Sequence, residues 1–303
     1  MREFSTTTFG KWILAGEHAV LRGCPALAFP FSSRSLQLEY SPSTNAIEVE
    51  FSGPHGEELK LLFYGVLENA LSRLHRGAPQ GRFRLINSLP VGAGLGASAA
   101  LCGAVSRWCE AQGWIQTGEV YEFARRLEDL FHGESSGVDL AVSLSSRGVR
   151  FLRGQGFVEI EPLWWPRLYL SYSGQRGMTS ECVNKVKALF QTAPEKAEAI
   201  DRRMREAVDL AEKALVRSPE DEGRRLLKQA IDIGLECFQA WGLCQGELGT
   251  HIELLKKGGA TAVKPTGSGG GGFCLSFWQD EPPSHLRELL LPIPRPLGTS
   301  QAN

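Results

Sequence analysis

Apolar and polar positions change their period several times along the chain, and each change marks an element. Lys11 to Phe31, KWILAGEHAVLRGCPALAFPF, holds short apolar runs cut by Gly and Pro, which predicts strands in a hairpin-like arrangement. SLQLEYS and AIEVEFS then alternate apolar and polar residues, the pattern of half-exposed strands. From Leu59 to Arg76 the spacing turns helical, with Leu62, Val66, Leu67, Ala70, Leu71 and Leu74 on one side. GRFRLINSLP alternates again. A helix is predicted from Ser98 to Gln112, closed by Gly113, and an amphipathic one from Glu119 to Leu130, ending near His132-Gly133.

After GVRFLRG and FVEIEPLWW the character changes. Pro162 and Pro166 bracket a Trp pair, and RLYLSYSG restarts as a strand. Thr179 to Ala260 is mostly charged and helical, with a break near Ser218-Pro219. TAVKPTGSGGGGFCLSFW returns to strand, Gly-rich loop, strand. The Pro-rich end, LPIPRPLGTSQAN, is expected to be loosely ordered. A soft boundary near Gly154 to Pro166 divides the chain into 1–160 and 161–303. No internal repeat is present.

Composition narrows the function classes. A chain of 303 residues with 42% hydrophobic and 22% charged residues can bury a substantial core. Lys plus Arg number 33 against 34 Asp plus Glu, so no basic field points to nucleic acid. No apolar run reaches the length of a membrane span, and Met1–Phe9 carries no secretion signal. The seven cysteines include no Cys-x-x-Cys pair, which fits reduced thiols in a cytoplasmic protein.

Three stretches carry candidate chemistry. PVGAGLGASAA, Pro90 to Ala100, places Gly92, Gly94 and Gly96 before a helix N-terminus. Unpaired backbone N–H groups there suit a phosphate, though a plain strand-to-helix turn uses the same residues. The stretch is neither a Gly-Lys-Ser/Thr loop nor a full dinucleotide fingerprint. Gly267 to Gly272 lies between apolar runs, so it reads as a turn inside a sheet and not as a linker. In LEDLFHGESSGVD, Glu128 and Asp139 can serve as metal ligand and proton acceptor. A solvated helix face for Glu128 and a helix N-cap for Asp139 stand as the plain alternatives.

Taken in order, these motifs resemble the GHMP kinases, named for galactose, homoserine, mevalonate and phosphomevalonate. GKWILAGEHAVLRGCPALA is similar to the first motif in its mevalonate kinase form, and PVGAGLGASAA to the phosphate loop. HGESSGVD, SGQRGMTSECV and KPTGSGGGGFCL resemble later segments, so the likeness runs from about Phe9 to Leu275. Phe9, Ala97, Ser135 and Met178 depart from the pattern. The resemblance implies an α+β, two-lobed fold, its N-terminal lobe like ribosomal protein S5 and its C-terminal lobe ferredoxin-like, with the active site in the cleft. It implies ATP-dependent phosphorylation of a small alcohol, first of all (R)-mevalonate. Phosphomevalonate kinase, a sugar kinase, diphosphomevalonate decarboxylase and a non-catalytic nucleotide binder are the alternatives.

Site residues follow from the same resemblance. Pro90, Gly92, Ala93, Gly94, Leu95, Gly96, Ala97 and Ser98 would hold ATP, joined by Gly267, Ser268 and Gly269. Ser98 and Glu128 would hold Mg2+. Asp139 would act as base or orienting acceptor, with Lys11 beside it stabilising developing charge. Lys11, Glu17, His18, Asp139, Thr179 and Gly267 would contact the substrate, although His18 also fits a satisfied core histidine and Lys11 alone a surface lysine. No nucleic acid or membrane partner is expected, and a homodimer stays open.

Overall fold

The computed structural model describes residues 1–131 and 136–296. The HGES part of the third motif, Ser135 included, lies outside the described residues. The chain forms two compact units: Met1–Lys11 with Pro30–Ser146, and Trp12–Phe29 with Arg147 onward. A single cut at residue 160 does not describe this division, because the segment around Glu17 and His18 belongs with the C-terminal half. Periodicity cannot reveal such an exchange, since it reports faces and not neighbours.

Strand β1 (Phe4–Ala15) pairs with β2 (Ala26–Pro42), as the hairpin-like pattern predicts. In the first unit, Leu36–Pro42 of β2 pairs antiparallel with β4 (Gly81–Asn87). β4 in turn pairs in parallel with β3 (Glu48–Ser52). The strict alternation of β4, with Phe83 and Leu85 fully buried and Arg82 and Arg84 out, gives the sheet one apolar face. Helices α1 (Lys60–Arg73), α2 (Ala97–Ala111), α3 (Val120–Glu128) and α4 (Val138–Ser145) complete the unit. The short α4 has no clear period of its own and was not predicted.

The apolar residues of α1 and α2 share one core with β2 and β4. Trp108 sits at its centre, with ring centroids 5.0 Å from Phe83, 5.4 Å from Tyr40 and 4.9 Å from Trp114. Helix α2 is small and apolar nearly throughout its first turns, so it can lie deep and still present its N-terminal end outward.

In the second unit, Ala26–Ala28 of β2 pairs with β5 (Gly148–Leu152), which pairs with β6 (Gly156–Ile160). A separate antiparallel sheet runs β10-β7-β9-β8, from β7 (Arg167–Tyr172), β8 (Ala262–Thr266), β9 (Phe273–Trp278) and β10 (Leu291–Pro292). The Pro-rich end is thus partly ordered, with Leu291 opposite Leu170. Helices α5 (Thr179–Thr192), α6 (Pro194–Glu212), α7 (Glu220–Ala240) and α8 (Glu247–Lys257) fill the charged stretch. Pro219 precedes α7, where its fixed φ suits a helix start. Among the described residues, no helix is long and apolar enough to cross a membrane.

Trp108→Ala is expected to destabilise the first unit by about 3–5 kcal/mol, the range for removing a buried aromatic. Urea denaturation followed by tryptophan fluorescence measures this. A loss below about 1 kcal/mol would show that the core does not rest on this ring.

Candidate functional site

In the first unit Lys11, Gly96 and Asp139 meet at the N-terminal ends of α2 and α4. Gly92, Gly94 and Gly96 have φ of 70°, 84° and 78°, the left-handed region that L side chains rarely adopt. A Cβ on Gly94 would meet nothing within 4 Å, so that glycine is required by backbone shape and borders open space. At Gly96 a Cβ would come within 3.0 Å of Lys11 Cγ and 3.7 Å of Asp139 Oδ2. Leu95 is buried and anchors the loop, while Pro90, Ala93 and Ser98 are half-buried and Ala97 joins the core.

Lys11 is buried, at 5% exposure, which excludes the surface reading. Its backbone N–H donates to Leu95 O at 2.9 Å, and its Nζ lies 3.2 Å from Asp139 Oδ1. Asp139 is not a helix N-cap. Gly137, with φ 84°, holds that position, and Asp139 occupies the first turn of α4. Its side chain is 28% exposed, so one side of the carboxylate stays open. Tyr121 Oη donates to Gly137 O at 3.3 Å and fixes the start of that helix, a role that nothing in the local pattern signals.

Glu128 ends α3 and is 2% exposed, which rules out a solvated face. Burial raises the Cys102 thiol well above its ordinary range, and the Glu128 charge adds to the rise. Burial, followed by Glu128, pushes Tyr121 up to about 12. Cys102 lies one turn along α2 from Ser98, on the same helix side. The Ser98 hydroxyl and the Glu128 carboxylate are hard oxygen donors of the kind Mg2+ prefers.

The second unit assembles its own polar cluster. Gly16 has φ 106°, and a Cβ there would lie 2.5 Å from Ala26 Cα. His18 has φ 57°, a strained value for a side-chain-bearing residue, and begins the 3-10 turn Ala19–Arg22. Its Nε2 is 2.9 Å from Ser268 O, so that nitrogen carries the hydrogen and donates. Burial lowers its pKa to about 4, with the Ser268 bond opposing. The ring stands edge-on to Trp241, at 5.1 Å, and to Phe238, at 6.0 Å. Arg22 holds the turn down through a two-pronged pair with Asp201, at 2.6 and 2.7 Å. Thr179 opens α5, and its Oγ1 donates to Ser268 Oγ at 3.4 Å.

The Gly267–Gly272 loop joins β8 to β9, the predicted turn inside a sheet. Its glycines differ in purpose. A Cβ on Gly267 would meet nothing within 4 Å, whereas one on Gly269 would lie 3.0 Å from Phe238 and Leu243, and one on Gly270 2.8 Å from Cys182 Sγ. The open face is at Gly267; Gly269 and Gly270 are glycine for packing. Lys264, on β8, was missed by sequence reading. It is wholly buried and pairs with Glu17, itself 2% exposed.

Comparison with known proteins places these residues in context. Residues 62–147 match the model of the GHMP kinases N terminal domain. A mevalonate kinase of Pyrococcus horikoshii is 30% identical over 292 residues, covering 86% of this chain and 84% of its own length. The crystal structure of L. major mevalonate kinase in complex with R-mevalonate superposes with a TM-score of 0.75 at 23% identity, over 94% of this chain and 89% of the other. That of Methanococcus jannaschii mevalonate kinase gives 0.71 at 19%, over 92% and 91%. At these identities the structures fix the fold, a mixed α+β one with two sheets.

The buried His18 generates a pH prediction. Its folded pKa of about 4 lies below the ordinary 6.5, so between those values the unfolded chain binds a proton that the folded chain excludes. Stability therefore falls as pH drops from 6.5 to about 4, by up to about 3 kcal/mol from this residue. His18→Gln keeps an N–H donor and is expected to remove that part of the slope. Urea unfolding at pH 7 and near pH 4 compares the two; parallel losses would show that His18 is not the titrating group.

Proposed function

Because the chain belongs to the GHMP kinase superfamily and is most like the mevalonate kinases there, we propose that it transfers the γ-phosphoryl group of ATP to (R)-mevalonate. The products are 5-phosphomevalonate and ADP. One observation carries the reading: Lys11 Nζ stands 3.2 Å from a half-open Asp139 beside Gly96, at the N-terminus of α2. A nucleotide binder that does no chemistry has no need of that pair.

Phosphoryl transfer asks the protein chiefly for positioning and charge neutralisation. The three left-handed glycines, Gly92, Gly94 and Gly96, let backbone N–H groups approach the triphosphate, and the α2 dipole favours its charge. Asp139 takes the hydroxyl proton as the acceptor oxygen bonds to phosphorus and the bond to ADP breaks. Lys11 balances the carboxylate and the moving phosphoryl group. Ser98 and Glu128 would hold Mg2+, which supplies further neutralisation of phosphate charge when bound. Glu17, His18 and Thr179 serve the acceptor. Gly267 and Ser268 serve ATP, Gly267 with an open face. Gly269 belongs to the same proposed set, although its packing makes it a poor probe by substitution.

Coupled ADP release with mevalonate, phosphomevalonate and galactose side by side tests the reading, with mevalonate expected to give the highest kcat/KM. Asp139→Asn, nearly isosteric, is expected to lower turnover by ~10²–10⁴-fold while ATP binding is largely kept. Turnover close to the unchanged protein would remove Asp139 from the chemistry.

Glu128→Gln and Ser98→Ala are each expected to raise the Mg2+ concentration for half-maximal rate. Unchanged metal dependence in both would place the metal ligands elsewhere.

A further inference from the structure

The second unit buries a complete ion pair where an apolar pair would serve stability as well. Lys264 is 0% exposed and Glu17 2%. Substituting buried pairs by packed hydrophobic residues is often neutral or stabilising, so stability alone does not account for this one. The surroundings are built to receive the lysine. Its stem runs along Gly234 of α7, where a Cβ would lie 3.0 Å from both Cδ and Cε. Its Nζ stands 5.5 Å from the centroid of the Phe238 ring, the same ring that packs edge-on against His18.

The lysine also belongs to a clip on the segment that carries Glu17 and His18. Lys264 Nζ donates to Ile13 O at 3.3 Å. Thr266, two residues on, donates to the same oxygen at 3.0 Å and accepts from Ile13 N–H at 2.9 Å. Ser268, two residues further, accepts from His18 Nε2. Alternate residues of β8 and its loop thus hold Ile13, Glu17 and His18 in turn, and Lys264 meets Glu17 with an opposite charge.

We infer that Lys264 is a positioning residue for acceptor recognition: it fixes the Glu17 carboxylate, charged and oriented, as hydrogen-bond acceptor for a hydroxyl of the alcohol substrate. This inference rests on the kinase reading above. It gives the buried pair a purpose that folding does not require, and it makes Lys264 act through Glu17 without touching the reactants.

The test compares Lys264→Met, Glu17→Gln and the double variant by steady-state kinetics and thermal melting. Lys264→Met is expected to raise KM for the acceptor by about 30-fold or more, with KM for ATP nearly unchanged. In the double variant neither charge is left unpaired, so melting is expected to return toward that of the unchanged protein while the acceptor KM stays high. Recovery of the acceptor KM in the double variant, or equal losses toward ATP and acceptor, would reduce the pair to a structural one and overturn the inference. If the unchanged protein phosphorylated none of the three alcohols, the kinase reading would fail and this inference with it. Normal turnover with an unaltered acceptor KM in Lys264→Met would defeat only the inference.

Discussion

An ammonium group withdrawn from water needs a counter-charge, and around Lys11 that need organises the first unit. The side chain is 6% exposed and its partner Asp139 28%, so the pair is asymmetric: the cation is sealed and the anion is half open. Everything adjacent follows from keeping that geometry. Gly96 carries no side chain because the Lys11 stem occupies the space. The Leu95 carbonyl receives the Lys11 backbone N–H, which ties β1 to the glycine loop. Gly137 starts α4 in a left-handed conformation that sets Asp139 in its first turn, and Tyr121 holds Gly137 in place. A glycine loop and a carboxylate far apart in sequence are thereby registered against one cation.

The second unit solves a similar problem with the opposite balance. Glu17 and Lys264 are both buried, so each relies on the other as its counter-charge. The strained His18 beside it is neutral at ordinary pH and gives its one N–H to Ser268. Strain of this kind persists only where neighbours over-determine it, and here the Arg22–Asp201 pair and the aromatic edges of Phe238 and Trp241 do so. One unit leaves its carboxylate partly exposed; the other holds its polar groups in a fixed arrangement.

Much of this was legible in the sequence because the relevant signals are local. Alternation in GRFRLIN, helical spacing after Leu59 and the glycines before Ser98 each act over a few residues, and the corresponding elements formed where expected. Four motifs in order then carried the family. Lys264 escaped because a lysine in TAVKPT reads as an edge or surface position until its neighbours are known. Glu128 escaped its plain reading for the same reason: only the packing of α3 on α2 removes it from water. The exchange of Trp12–Phe29 into the second unit is a tertiary fact with no periodic trace.

The two glycine-rich loops show how far composition alone can mislead. Both looked like backbone left bare for a ligand. In the first, Gly94 borders open space and Gly96 makes room for the Lys11 side chain. In the second, Gly267 has the open aspect, whereas Gly269 and Gly270 combine left-handed backbone with Phe238, Leu243 and Cys182 standing where a Cβ would be. That packing has a purpose of its own. It seats the loop against the ring on which His18 and Lys264 also rest, so the glycines tighten the support under the Glu17–His18 segment. A glycine's reason is found by asking what its missing Cβ would strike, and in this protein the answer differs from one residue to the next.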